Sequence, residues 1–428
     1  MMKQLLFSLM TVLLLTGILP YSTVEAAQIS SSSCGGTPVP NAYCSFEDSG
    51  NRVVIGKQSC NVEGSCLNLA DGVKIGSRSC NGEDACSGIG SSDGAAVIGN
   101  DSCNSYQACY YAGNDDSDAK IGNDSCNSRQ ACYYAGYNYG QAKIGNSSCK
   151  GYRACYYAGY SDGSATIGVN ACTEYRACDS IGSDDGEATI DKDACRGYLS
   201  CYRAVGKIGK GSCNGYEACY EAGYNADSGI TIDKQSCKGY RACYEAAYDG
   251  SVTIGKTSCI DYEACAYTGY NGSATVGDKS CQGYHSCYYA AYSSNSNAEI
   301  GKGSCLGYEA CYRAAYDGQA IIGKGSCAYG DYACSYAGGN GSATIGANSC
   351  SGGYNACYDV AYSSSSITTI GAKSCNGTEA CYEVGDNFSS SIGSRSCNNY
   401  ESCYQVGYTA IQDIGNNECN APQECSNE

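Results

Sequence analysis

A single histidine, His285, stands among 428 residues, and that scarcity closes several routes at once. One imidazole cannot supply a recurring His/Cys zinc ligand set, and a Ser–His or Cys–His nucleophile could occur only once. In its context YHSC, His285 takes a position filled elsewhere by Arg or Glu, which reads as an ordinary surface substitution. Proline is nearly as rare: Pro20, Pro38, Pro40 and Pro422 all lie outside residues 41–421. A long stretch without proline keeps its backbone N–H groups available as donors, as stacked strands require. Positive charge is also short, with 26 Lys and Arg against 43 Asp and Glu, and the basic residues form no patch. The net charge of −17 opposes nucleic acid and anionic membrane as partners. Leu, Ile, Val and Phe are scarce, a composition that alone suggests disorder. Periodicity rejects that reading.

Residues 1–26 read as a secretory signal peptide: Lys3, an apolar run from Leu5 to Leu19, and a Val24-Glu25-Ala26 cleavage site. No other apolar stretch approaches membrane-spanning length. Export to an oxidising compartment, extracellular or at the cell surface, gives the 36 cysteines a meaning, because an even number can be fully paired.

From Cys60 onward the cysteines fall into seventeen pairs, fifteen of them spaced C-x5-C; Cys327/Cys334 and Cys350/Cys357 carry one extra residue. First cysteines of successive pairs lie mostly 22–24 residues apart, with extremes of 18 (Cys195 to Cys213) and 25 (Cys350 to Cys375). The length change falls mainly after the second cysteine, the behaviour of a surface loop. Each repeat also carries a short alternating segment, such as Ala119-Lys120-Ile121, Ala165-Thr166-Ile167 and Val252-Thr253-Ile254. Period two marks a half-buried strand, with Ala and Ile inward and Thr or Lys outward. A glycine follows (Gly122, Gly145, Gly168, Gly255, Gly346), replaced by Asp191 and Asp233 in two coils. Because Asp also tolerates φ > 0, that position is expected to hold a left-handed turn.

These features predict an all-β parallel β-solenoid (β-helix) of about 17 coils of 22–24 residues, each stapled by an intra-repeat disulfide. At about 4.8 Å per coil the rod is roughly 80 Å long. Residues 27–54, with Cys34 and Cys44, form the expected amino-terminal cap, 55–416 the solenoid and 417–428 the carboxyl-terminal cap. The expected staples begin with Cys34–Cys44, Cys60–Cys66, Cys80–Cys86, Cys103–Cys109, Cys126–Cys132 and Cys149–Cys155. They continue with Cys172–Cys178, Cys195–Cys201, Cys213–Cys219, Cys237–Cys243, Cys259–Cys265 and Cys281–Cys287. The remaining six are Cys305–Cys311, Cys327–Cys334, Cys350–Cys357, Cys375–Cys381, Cys397–Cys403 and Cys419–Cys425. Pairing between adjacent coils is the alternative. Metal and cofactor roles find no support.

Tyrosine takes the place of leucine. It usually follows the second cysteine (Tyr110, Tyr133, Tyr156, Tyr220, Tyr312), with a small apolar residue two later (Ala112, Ala158, Ala222, Val360, Val406) and often another Tyr after that (Tyr137, Tyr160, Tyr248, Tyr316). The intervening position takes Tyr157, Arg203, Glu221, Glu245, Arg313 or Asp359, so it is expected to face solvent and the Tyr-Ala-Tyr positions the interior. A further tyrosine recurs between the cysteines: Tyr106, Tyr152, Tyr198, Tyr240, Tyr284 and Tyr308. A tight turn there should expose it and, with Tyr111, Tyr134, Tyr157 and Tyr289, create aromatic rows for stacking on sugars, packing against other rods or oxidative cross-linking.

Seven N-x-[ST] sequons, at Asn100, Asn123, Asn146, Asn271, Asn340, Asn376 and Asn387, are candidate glycan sites. The acidic pairs Asp115-Asp116 and Asp184-Asp185 read as solvated loops, since they lack the register of calcium β-rolls. The repeat S-C-x-G-x-x-A-C with following aromatics and I-G, across residues 55–425, resembles cysteine-rich tandem repeats of secreted, cell-surface proteins of diatoms and related protists. The architecture also resembles the disulfide-stapled solenoid of insect antifreeze proteins. That likeness implies an outward threonine row, here Thr166, Thr189, Thr231, Thr253, Thr275 and Thr344, interrupted by Lys120, Lys143, Lys207 and Glu299. The expected function is an extracellular structural or interaction protein: a rigid rod in a cell coat, wall or matrix that partners itself. The alternative is a polysaccharide- or ice-binding rod. No enzymatic role is expected.

Overall fold

The computed structural model describes residues 28–29, 32–34, 44–46 and 52–425. Within the last range it leaves out 91–94, 114–117, 137–138, 140, 157, 160–163, 183–186, 204, 224–228, 247–250, 270–272, 289, 291–296, 315–318, 339–341, 359, 361–366 and 386. The expected signal peptide, the acidic pairs, Asn271, Asn340, and Tyr137, Tyr157, Tyr160, Tyr248, Tyr289 and Tyr316 lie outside the described residues.

Each coil supplies one short strand, and successive strands pair in parallel. Ala119–Ile121, Ala142–Ile144 and Ala165–Ile167 stack with Ala on Ala and Ile on Ile. In each of these the outer residues are buried and the middle one exposed, as alternation requires. Stacking every coil in this register builds a single parallel β-solenoid, with no helix among the described residues. Its main sheet has 18 strands, one more than the 17 coils expected, because Gln28–Ile29 adds a rung against Val54–Ile55. The 18-residue coil keeps the register: Gly206, Lys207 and Ile208 lie on Ala188, Thr189 and Ile190, so loop length changes without disturbing the ladder.

The interior is three kinds of small column. Strand isoleucines, alanines such as Ala108, Ala131 and Ala154, and the cysteines stack coil on coil with essentially no exposure. All eighteen disulfides join the first cysteine of a repeat to the second, from Cys34–Cys44 to Cys419–Cys425, with Cα separations of 5.4–5.8 Å. None joins adjacent coils, and no free cysteine remains. Backbone bonds run between coils beyond the strand as well. Cys103 N–H donates to the Ser125 carbonyl (3.1 Å), and isolated parallel bridges link Asn214, Lys238, Ile260, Gln282, Leu306 and Ala328 in series.

A buried serine ladder accompanies these columns. Ser236 Oγ donates to the Gly255 carbonyl of the next coil (2.6 Å) and accepts from Ser258 N–H (3.3 Å); Ser258 Oγ repeats the pattern toward Gly277 (2.7 Å) and Ser280. A hydroxyl buried without partners is costly, and here both of its functions are used.

The turn after the strand departs from expectation. Gly122, Gly145, Gly168, Gly255 and Gly346 are not left-handed, nor are Asp191 and Asp233; the left-handed residues come two positions later, at Asp124 (φ 55°), Ser147 (57°), Asn170 (58°) and Asp193 (60°). Crowding favours glycine in most coils, although Asp191 and Asp233 show that two coils accommodate a Cβ there. A Cβ on Gly122 would stand 2.6 Å from the Asn146 backbone nitrogen of the next coil.

Candidate functional site

Stacking repeats on a fixed backbone period turns each side-chain position into a column, and one face of the rod is three such columns. The first comes from the turn between the cysteines. Tyr152, Tyr175, Tyr198, Tyr216, Tyr240, Tyr262, Tyr284 and Tyr308 form a continuous stack with consecutive ring centroids 4.9–5.4 Å apart. From Tyr175 onward the rings are nearly parallel, within 9°, and 37–43% exposed. The exposed row expected from sequence is present at Tyr198, Tyr240, Tyr284 and Tyr308, whereas Tyr152, Tyr111 and Tyr134, also expected to be exposed, are half-buried because neighbouring rings cover them. Sequence reading missed Tyr175, Tyr216 and Tyr262, which occupy the same place three residues after the first cysteine. Tyr106 stands apart, half-buried, with the Arg129 guanidinium 5.1 Å over its ring in the next coil.

The second column follows the second cysteine. Tyr110, Tyr133 and Tyr156 stack at 5.1 and 5.2 Å, Tyr202, Tyr220 and Tyr244 at 5.1 Å, and Tyr358, Tyr382 and Tyr404 at 5.2 and 5.4 Å. The described rings are half-buried, while Ala112, Ala158, Ala222, Val360 and Val406 beneath them are fully buried. The residue between is not open to solvent: Arg203, Glu221, Glu245 and Arg313 are half-buried, because neighbouring coils crowd the position. Burial raises the Glu245 pKa, with Glu221 adding to the effect. Where a tyrosine is missing, another group fills the gap. Asp179 takes its place in one coil, where Arg176 pairs with it and lies 4.6 Å over Tyr202. Burial raises the Asp179 pKa against the pull of Arg176.

Between the tyrosine columns runs a ladder in which acidic and basic residues alternate. Arg241 Nε donates to Glu217 Oε2 (2.7 Å) and its Nη1 reaches Glu263 (3.8 Å); His285 Nε2 lies 3.0 Å from Glu263 Oε2 and its Nδ1 3.8 Å from Glu309. The guanidinium of Arg241 sits 5.2 Å over Tyr240 and 4.9 Å over Tyr244, bridging the columns by cation–π contact. His285, read from sequence as a surface substitution, is instead a rung of this ladder with its side chain 19% exposed, packed against Tyr284 at 4.0 Å. Nothing local in YHSC carried that information. It follows from spacing, since Glu217, Arg241, Glu263, His285 and Glu309 all stand four residues after a first cysteine.

The columns shift phenol acidity. Burial pushes Tyr244 up to about 12, and the Glu309 carboxylate bonded to the phenol does the same to Tyr308. Both values exceed the ordinary value of about 10, so the unfolded chain releases these protons first as pH rises. Their contribution to stability is therefore complete below pH about 10 and is lost as pH climbs through about 12. A thermal midpoint that falls once pH passes about 10 is expected, together with phenolate absorbance that appears later in native than in denatured protein. Coincident native and denatured titrations would contradict this.

The outward strand face carries Thr166, Thr189, Thr231, Thr253, Thr275 and Thr344, all exposed, with Lys120, Lys143, Lys207 and Glu299 in the same row. Asn100, Asn123 and Asn146 line the adjoining edge, exposed, and their carbonyl oxygens accept the backbone N–H of Ser77, Asn100 and Asn123 at 2.8 Å. Asn376 and Asn387 use their amide nitrogens on the carbonyls of Asn348 and Tyr408. Sulfur atoms of neighbouring staples come within 4.8 Å, as at Cys126, Cys132 and Cys149, but each belongs to a disulfide and offers no thiolate to a metal. Among the described residues no helix is long and apolar enough to cross a membrane.

A coil stapled once per turn, with its side chains sorted into columns, defines a repetitive disulfide-bonded β-solenoid. The chain belongs to the family described as a domain of unknown function (DUF7640), whose model matches residues 110–186, 182–270, 224–295 and 268–371, together more than half of the sequence. No catalytic family is indicated. No curated protein and no solved structure matches the chain.

Proposed function

We propose that this protein is a secreted, non-enzymatic structural rod of a cell coat, wall or extracellular matrix that assembles with further copies of itself. The carrying observation is regularity. Staples, serine ladder and tyrosine columns recur coil after coil, a construction that stiffens a rod along its whole length instead of shaping one pocket. Disulfides in this number suit an oxidising, extracellular location, as do the apolar leader and the resemblance to cell-surface repeats of protists. Among the described residues Gln412–Ile414 is paired with Ser390–Ile392 alone, and an unpaired strand edge of that kind would accept another rod end to end.

Binding of polysaccharide or ice is the competing reading, and two observations weigh against it. Sugars stack on aromatic faces, whereas the rings of the exposed column spend their faces on one another and show only edges and hydroxyls. The threonine row is broken by lysine and glutamate. Negative-stain electron microscopy of the oxidised protein across a concentration series is expected to show filaments many times the single-rod length of roughly 80 Å given by rung spacing. Isolated rods at every concentration, with glycan capture or thermal hysteresis, would favour the competing reading.

A further inference from the structure

We infer that the exposed tyrosine column is an oxidative cross-linking site, at which two rods become joined by dityrosine when a haem peroxidase and hydrogen peroxide are supplied. The inference rests on the rod reading for its purpose but not for its chemistry.

The first support is what the protein leaves out. It has no tryptophan, its three methionines (Met1, Met2, Met10) all lie in the apolar leader, and its described cysteines are all in disulfides. Tyrosine is then the readily oxidised side chain of the rod, and 42 are present. Geometry supplies the second support. In the column from Tyr152 to Tyr308 each ring touches the next at 4.9–5.4 Å, so an electron vacancy created at one phenol can pass to its neighbours. Loss of an electron makes a phenol strongly acidic, and a carboxylate is at hand to take the proton: Glu217 engages the Tyr216 phenol and Glu309 that of Tyr308.

The step balances with the oxidant named. One hydrogen peroxide, reduced to two waters through the peroxidase, takes one electron and one proton from each of two phenols. The two phenoxyl radicals form one carbon–carbon bond ortho to their oxygens, and the two ring hydrogens at the joined carbons shift to those oxygens, restoring both phenols. Within one column this bond is opposed. Neighbouring rings lie face to face about 5 Å apart on a backbone held by inter-coil hydrogen bonds and staples, so their ring carbons cannot meet. Ring edges facing solvent on two different rods can. The column stores a mobile radical until another rod arrives.

The test treats the oxidised, folded protein with a haem peroxidase and hydrogen peroxide at several protein concentrations. It reads dityrosine fluorescence, multimers on reducing gels, and cross-linked peptides by mass spectrometry. Multimers that increase with protein concentration are expected, with dityrosine in the turn peptides carrying Tyr175 to Tyr308. Tyr139 and Tyr329, 70% and 83% exposed and outside the stack, serve as internal controls. Replacing both by Phe is expected to leave the yield unchanged. The combined Tyr216→Phe, Tyr262→Phe and Tyr308→Phe variant keeps stacked rings and is expected to lower yield several-fold, with an unchanged circular dichroism spectrum confirming its fold. Cross-links concentrated at Tyr139, Tyr329 or elsewhere outside the column, products confined to single chains, or no dityrosine would overturn the inference. Absence of coupling would leave the rod reading standing, and absence of filaments in the microscope would leave the coupling standing.

Discussion

Complete reduction of the disulfides under denaturing conditions, followed by removal of denaturant with thiols kept reduced, is expected to leave the chain without its sheet. Each coil buries little apolar volume: one or two strand isoleucines or valines, a few alanines and the half-cystines. Each staple from Cys60 onward spans a separation of six or seven residues, worth roughly 2 kcal/mol in the chain-entropy picture. In a solenoid, stability is approximately a sum over coils and their interfaces, so that loss recurs in every coil. A handful of reduced staples already matches the ~5–15 kcal/mol that holds an ordinary domain together. The native rod should nevertheless resist reductant, because the cysteines from Cys60 to Cys403 have no exposure. The end staples differ: Cys425 is exposed and Cys34 partly so. A time course of thiol labelling read by mass spectrometry is expected to find Cys419–Cys425 and Cys34–Cys44 open first and the middle of the rod last. Uniform opening along the rod, or a reduced chain that keeps its β-sheet circular dichroism, would refute this account.

What sequence could and could not give follows from where each feature is encoded. Cysteine spacing and the Ala-Lys-Ile alternation lie within one repeat, so strand, staple and parallel stacking were readable. The tyrosine column was half readable. Its members share one offset from the first cysteine, but only stacking places their faces against each other, and that contact changes what the row can bind. The charge ladder was not readable from any one repeat, because Glu217, Arg241, Glu263, His285 and Glu309 become partners only between coils. The serine ladder was open to detection, since Ser precedes the first cysteine in coil after coil, yet serine is commonly a surface residue and periodicity does not flag it. The glycine after the strand reads from sequence as a conformational need, the usual reason for glycine in a turn, whereas its φ is ordinary and most coils leave a Cβ there little room beside the next coil.

Crowding of this kind yields the second large effect. Gly215→Ala is expected to destabilise the protein by about 3 kcal/mol, at the upper end of overpacking costs. Gly215 lies between Cys213 and Tyr216 in the turn that carries the tyrosine column. A Cβ there would stand 2.1 Å from the Gly239 carbonyl oxygen and 2.8 Å from its carbon, both backbone atoms of the next coil. No rotamer relieves a clash between a Cβ and backbone; the coils must part. Parting them strains the inter-coil bonds from Cys213 N–H to Ser236 and from Cys219 N–H to Ala242, and opens the Tyr216–Tyr240 contact at 5.2 Å. The coils on either side keep their own neighbours, so unfolding should split into two transitions instead of one. Gly229→Ala is the control: a Cβ there meets nothing within 4 Å, and removing glycine from the unfolded ensemble should stabilise by about 0.4–1 kcal/mol. Calorimetry of both variants decides the matter. A Gly215→Ala protein that melts like the Gly229→Ala protein would show that the coils have slack, and that close inter-coil packing does not hold the rod rigid.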